Sequence, residues 1–182
     1  MSDFNLSKFI FVIILVLFEC YSVLSDDQNV ISVRLEKGLI NGKIETIVED
    51  KQLGVFKGIP FAEPPIGDLR FKKPIPVKEW PKTIDAYDWP NSCYQDFTIF
   101  PKEALLNTNI SEDCLYMNIW TPIDSIKSDK QKAVIFYIHG GGLIFGSASW
   151  NAVVGQIISA KGDVVFVSIN YRSFNIHKLI KA

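Results

Sequence analysis

The chain is short of the marks left by several large function classes. No run of like charge exceeds two residues, and 19 lysines and arginines nearly cancel 20 acids. There is therefore no electrostatic footprint for nucleic acid or an anionic membrane surface. Neither G-x-G-x-x-G nor a glycine loop ending in Gly-Lys-Ser/Thr occurs, so the usual nucleotide-binding spacings are absent. Apolar runs are short: the longest, Phe9 to Phe18, is closed by Glu19 and cannot cross about 30 Å of hydrocarbon as a helix. Histidines number two and cysteines three, and there is no internal repeat or low-complexity stretch. The serine elbow pattern G-x-S-x-G is also absent. What remains is 182 residues, 48% hydrophobic and 13% aromatic, enough to bury the core of one domain and too apolar for disorder.

The first apolar run is read as an address. Lys8 precedes it, and Val23 and Ser25 are small enough for the positions before a cleavage site. A secretory signal over residues 1–25 follows, with a mature chain from Asp26 and no membrane anchor after cleavage; a retained anchor or an interfacial helix is the alternative. Cys20 leaves with the signal, which leaves Cys93 and Cys114. In an oxidising compartment one bridge between them is the natural outcome, two unpaired buried thiols being the alternative. Closing a loop of roughly twenty residues is worth about 3 kcal/mol in the chain-entropy model. Between the two cysteines, Asn109-Ile110-Ser111 is a glycosylation acceptor, relevant only in a secreted chain.

Along the mature chain, 31–48 alternates and is β-branched, with Asn41-Gly42 at its middle predicting a hairpin turn. A short strand over Leu53 to Phe56 breaks at Gly58 and Pro60. Prolines from Pro60 to Pro90 then forbid long helices and predict an extended wrap. From Glu112 the pattern becomes that of sheet and helix. A strand ends at Pro122, a polar loop covers Ile123 to Lys132, and 133–138 is an apolar strand of the kind buried on both faces. Ser149 can cap a helix running to about Ala160, with Val153, Val154, Ile157 and Ile158 as its apolar face and Gly162 as its stop. A second apolar strand, 164–170, completes a strand-helix-strand crossover and an α/β core.

His139-Gly140-Gly141-Gly142 falls at the carboxyl end of the first buried strand, where ligands collect in open α/β sheets. Consecutive glycines can aim their N–H groups at one point and let an oxygen come close. Acyl transfer needs such donors, placed about 2.7 to 3.1 Å from a carbonyl oxygen that becomes an oxyanion. Glycines that merely permit a sharp turn are the alternative.

Four stretches in order, GVFKGIPFAEPPIGDLRFKKP, SEDCLYMNIWTP, YIHGGGLIFGS and VSINYR, resemble successive N-terminal blocks of the type-B carboxylesterases, which include the insect esterases and cholinesterases. The resemblance covers nearly all of Ile31 to Arg172. It implies an α/β-hydrolase fold and hydrolysis of small carboxylic esters through an acyl-serine, with no cofactor and no metal. By position, Gly141 and Gly142 match the oxyanion-hole glycines, Gly140 the turn, and His139 a structural residue. The resemblance also places Cys93 and Cys114 at the family's first disulfide, with its loop over the active-site gorge, and Arg70 and Glu112 at a buried ion pair. Leu143 stands where the family commonly has phenylalanine.

After Arg172 the resemblance stops, and 173–182 is an unmatched tail. Ser147 has the wrong spacing for a nucleophile, and His177 lies in the tail. The expectation is the N-terminal part of a secreted ester hydrolase, ending before its catalytic serine, acid and histidine, with no activity alone. A non-catalytic cholinesterase-like binding protein is the alternative. The apolar strand 133–138 would then carry an unpaired edge.

Overall fold

A computed structural model describes residues 29–95, 109–128, 130–150 and 155–173. The expected secretory segment with Cys20, residues 96–108 of the loop expected over the gorge, Val153, Val154 and residues 174–182 of the tail, His177 included, lie outside the described residues. The chain forms two units, Met1–Val30 and Ile31–Ala182, and the second holds nearly all of the described secondary structure. No helix among the described residues is long and apolar enough to cross a membrane.

The alternating N-terminal stretch forms two neighbouring strands, β1 (Val30–Leu35) and β2 (Gly38–Thr46). Their turn is at Glu36-Lys37, not at Asn41-Gly42, which sit inside β2. The reason is packing. The ring of Phe56 lies 2.5 Å from where a Cβ on Gly42 would stand, so this glycine admits an aromatic neighbour. Asn41 is occupied laterally, accepting from Ser32 Oγ at 2.7 Å and donating to Asp85 at 2.8 Å.

Strand β3 (Gln52–Pro60) is antiparallel to β2 and continues past its expected end at Phe56, through the expected break at Gly58, to Pro60. It achieves this by a register shift between Phe56 and Ile59 against the strand that begins at Tyr116. The N–H of Gly58 leaves the ladder and donates to Asn118 Oδ1 at 3.0 Å, so a β-bulge carries the strand on. The proline-rich wrap comes next. It includes β4 (Ile84–Asp85), parallel to β2, and β5 (Ser92–Cys93), which pairs with β6 (Ile110–Ser111) in a separate two-stranded sheet.

Strand β7 (Tyr116–Pro122) lies between β3 and β9 (Val165–Ile169), antiparallel to both, and β8 (Val134–Ile138) pairs in parallel with β9. The main sheet therefore runs β1-β2-β3-β7-β9-β8, with β4 beside β2. Residues Ile123–Lys127, expected as loop, form a short helix, α1. Asp124 in its first turn and Lys127 in its last suit the helix dipole. Ser125 donates to the carbonyl of Pro122 at 2.7 Å. Helix α2 (Gly155–Gly162) connects β8 to β9 and packs on β7 and β9. The hydroxyl of Ser149, expected as its cap, donates to the carbonyl of Pro90 at 3.3 Å.

Alternation along the central strands divides the core between two faces. One cluster holds Leu53, Val55, Trp120, Ala160 and Phe166; another holds Ile40, Phe56, Ile59 and Ala86. Trp120, only 1% exposed, has the rings of Trp89 and Phe166 within 6 Å of its own. Strand β8 differs. Its pattern is that of a doubly buried strand, yet Val134, Phe136 and Ile138 are each more than half exposed. Among the described residues it pairs only with β9 and ends the sheet, so this face and the outer edge are bare, while Tyr137 on the other face stacks on Phe166.

Candidate active-site turn

The carboxyl end of β8 leads into His139 and the three glycines. His139 is buried and its Nδ1 lies 2.9 Å from the carbonyl of Gly140. A carbonyl only accepts, so Nδ1 carries the proton. Burial lowers the pKa of the ring, opposed in part by that hydrogen bond, and keeps it neutral. His139 makes no hydrogen bond to a serine or a carboxylate among the described residues. Its imidazole is committed to packing on Tyr171.

The turn itself is left-handed over Gly141, Gly142 and Leu143, with φ of 125°, 61° and 62°; Gly140, expected to make the turn, keeps an ordinary φ. Ile144 and Phe145 both donate to the carbonyl of Gly141, at 3.0 and 3.2 Å. A side chain on Gly141 would run into the carbonyl of Phe145, so only glycine closes this loop. The N–H groups of Gly141 and Gly142 enter no hydrogen bond among the described residues. Two backbone donors are thus left at a strand end, in an α/β sheet, where an anionic oxygen could be met.

Behind the turn, three buried amides grip residues 146–149. Gln95 donates to the carbonyl of Gly146 and accepts its N–H, each at 2.8 Å. Asn170 accepts from the N–H of Ala148 at 2.8 Å and donates to the carbonyl of Asn91 at 3.0 Å. Asn118 donates to the carbonyl of Ala148 at 3.2 Å while holding the bulge at Gly58. Ser147 and Ser149 lie inside this network. Ser147 Oγ accepts from Ser92 Oγ at 2.8 Å and from the N–H of Ser149 at 3.0 Å. Both serines are at most 1% exposed, so neither is available as a nucleophile. The amides escape sequence reading because they come from distant segments. The one local sign is a polar Asn118 in the middle of an apolar strand.

Cys93 and Cys114 are joined, with both residues buried beside Ala62 and Leu115. The bridge ties β5 to the segment just before β7. Arg70 reaches Glu112 at 2.6 Å, but the side chains are 50% and 24% exposed, so the pair is not buried as the resemblance implied. Arg70 directly follows a surface 3-10 turn, Gly67–Leu69, which holds it at the solvent boundary. Asn109 is exposed and its carbonyl accepts from the N–H of Ser92 at 2.9 Å, beside the bridged Cys93.

Comparison with known proteins accords with this architecture. The chain is 42% identical over 155 residues to an acetylcholinesterase of Leptinotarsa decemlineata, an alignment covering 77% of this chain and 24% of the relative. It is 34% identical over 173 residues to an acetylcholinesterase of Electrophorus electricus, covering 92% and 27%. It is 38% identical over 144 residues to a medium-chain fatty acyl-CoA hydrolase precursor of Anas platyrhynchos, covering 74% and 25%. The chain thus spans about a quarter of the length of these relatives. The profile of the carboxylesterase family matches residues 28–173, and with the α/β sheet and the glycine turn this establishes that the chain belongs to the carboxylesterase family.

Proposed function

We propose that this chain supplies the oxyanion-stabilising turn of a secreted hydrolase of small carboxylic esters. The observation that carries the reading is the pair of N–H groups, of Gly141 and Gly142, that enter no hydrogen bond among the described residues, on a turn that three buried amides hold in place. In ester hydrolysis the carbonyl oxygen gains charge as a nucleophile adds. Backbone donors fixed before that moment stabilise it without reorganising, and losing one such donor costs about 10² to 10³ in kcat. The relatives' names share the transfer of an acyl group to water, from an oxygen ester in one case and a thioester in the other.

The nucleophile has no counterpart in these 182 residues, since no G-x-S-x-G occurs and Ser147 and Ser149 are enclosed. The chain alone therefore hydrolyses no ester, and in the whole protein the open edge of β8 takes a further strand. Residues 1–25 act as the secretory signal, 26–172 as the N-terminal part of the esterase domain and 173–182 as a tail outside it. Asn109 carries a glycan.

The test uses a short-chain aryl ester, with and without an organophosphate that labels active serines. The chain as written shows no turnover and takes no label. A longer transcript product that contains it does both, and Gly141→Ala in that product, which keeps the N–H but whose Cβ would collide with the Phe145 carbonyl and displace the turn, lowers kcat by about 10²-fold or more. Organophosphate labelling of the short chain, or full turnover by the Gly141→Ala product, would sink the proposal. Intact mass of material secreted by insect cells, before and after peptide-N-glycosidase, checks the cleavage after Ser25 and the glycan.

A further inference from the structure

We infer that Gln95 is a positioning residue through which the Cys93–Cys114 bridge holds the glycine turn. The inference rests, for its functional meaning, on the oxyanion-stabilising role proposed for that turn. Gln95 is 4% exposed, and its amide is fully occupied. One Nε2 hydrogen serves the carbonyl of Cys93 at 3.0 Å, the other that of Gly146 at 2.8 Å, and Oε1 takes the N–H of Gly146 at 2.8 Å. A planar group with both donor and acceptor is needed to meet both polar groups of one residue, and only an amide side chain provides it.

Gly146 is the point at which this grip reaches the turn. Its φ is 128°, and a Cβ there would run into the imidazole of His139 and the carbonyl of Gly140. The backbone of Gly146 is therefore pressed against the start of the glycine run, and displacing one displaces the other. Asn118 and Asn170 hold the loop at Ala148, two residues further on. Among the described residues Gln95 is the only side chain hydrogen-bonded to Gly146. At its other end Gln95 leans on the carbonyl of Cys93, whose position is fixed covalently to Cys114. The chain of contact runs from the bridge to the Cys93 carbonyl, the Gln95 amide, Gly146 and Gly140.

The experiment is amide hydrogen exchange on the isotopically labelled full chain, in four forms: oxidised and reduced, each with Gln95 and with Gln95→Met. Methionine keeps the length and loses every polar contact. In the oxidised protein, Gln95→Met should speed exchange of the Gly146, Ile144 and Phe145 amides by about tenfold, the loss of one or two net hydrogen bonds. The amides of Leu53 and Trp120, in the central strands, should keep their rates. Reducing the bridge should have a similar effect on the turn, and reduction added to Gln95→Met should have little more, since both act through one contact. Unchanged exchange at Gly146 in Gln95→Met would overturn the inference. So would equal acceleration of the sheet amides by Gln95→Met in the oxidised protein, or effects of reduction and substitution on the turn amides that multiply. Exchange reports order in the turn whether or not it binds an oxyanion, so a failure here is distinct from a failure of the esterase assay.

Discussion

Tyr171 and His139 clasp each other across the end of the parallel strand pair. The two rings stack with centroids 4.1 Å apart and planes 13° from parallel, and the phenol donates to the carbonyl of His139 at 2.5 Å. One residue thus fixes both the ring and the backbone from which the glycine turn departs. A charge on that imidazole would have to be buried between Tyr171 and the loop.

Acid should therefore weaken the fold through His139. Burial lowers the folded-state pKa of His139 below the ordinary value near 6.5, so the unfolded chain binds the proton more readily. The stability that the neutral ring contributes is complete above about pH 6.5 and is lost as pH falls through the folded-state pKa. Urea unfolding at pH 7.5 and at successively lower pH should show the midpoint falling, and His139→Phe should flatten that part of the profile. An unchanged slope in the variant would assign the acid sensitivity to other groups.

Arg70→Ala should be mild. The pair with Glu112 is half open to water, and exposed pairs contribute about 0 to 1 kcal/mol. A loss of about 3 kcal/mol or more, the scale of a broken buried pair, would contradict that exposure. Chemical denaturation of Arg70→Ala and Glu112→Gln, with the double variant, gives the coupling directly.

Replacing Cys93 and Cys114 together by serine should lower stability by about 3 kcal/mol, the effect of freeing a loop of 21-residue separation in the unfolded chain. Non-reducing peptide mapping of the parent identifies the bridged peptide. Equilibrium unfolding of the double variant measures the loss, and a change below about 1 kcal/mol would show that the unfolded state is already restricted.

The chain should associate through β8. Val134, Phe136 and Ile138 alternate along a strand that, among the described residues, is paired on one side only, which is a template for another edge. Phe136→Lys should reduce light scattering of the concentrated chain without altering its far-ultraviolet circular dichroism. Equal scattering by parent and variant would move the association elsewhere.

The sheet was legible because β-branched and apolar runs announce strands wherever the chain places them, as in Val165–Ile169 and Tyr116–Pro122. The glycine turn was legible because three adjacent glycines have few uses. Asn41-Gly42 misled because a local turn preference is weaker than the need to seat the ring of Phe56 beside a residue with no side chain. The polar stretch after Pro122 became a helix too short for any periodicity to reveal. Gln95, Asn118 and Asn170 were illegible for another reason: each is an ordinary polar residue until the fold brings it to the loop at 146–149.

The bulge in β3 has a consequence for which residues this strand can present. Leu53 and Val55 belong to one face of the sheet, and by odd-even parity Ile59 should join them. Instead it lies with Phe56 in the opposite cluster, while the facing strand keeps its own parity, with Met117 and Ile119 on one side and Trp120 on the other. The extra residue at the bulge reverses the count. Deleting one residue at 57–58 would leave Ile59 two positions from Phe56 and so on the same face of a regular strand. Inserting one regular residue elsewhere between Val55 and Ile59 would turn Ile59 to the other core; the bulge absorbs one surplus residue and no more.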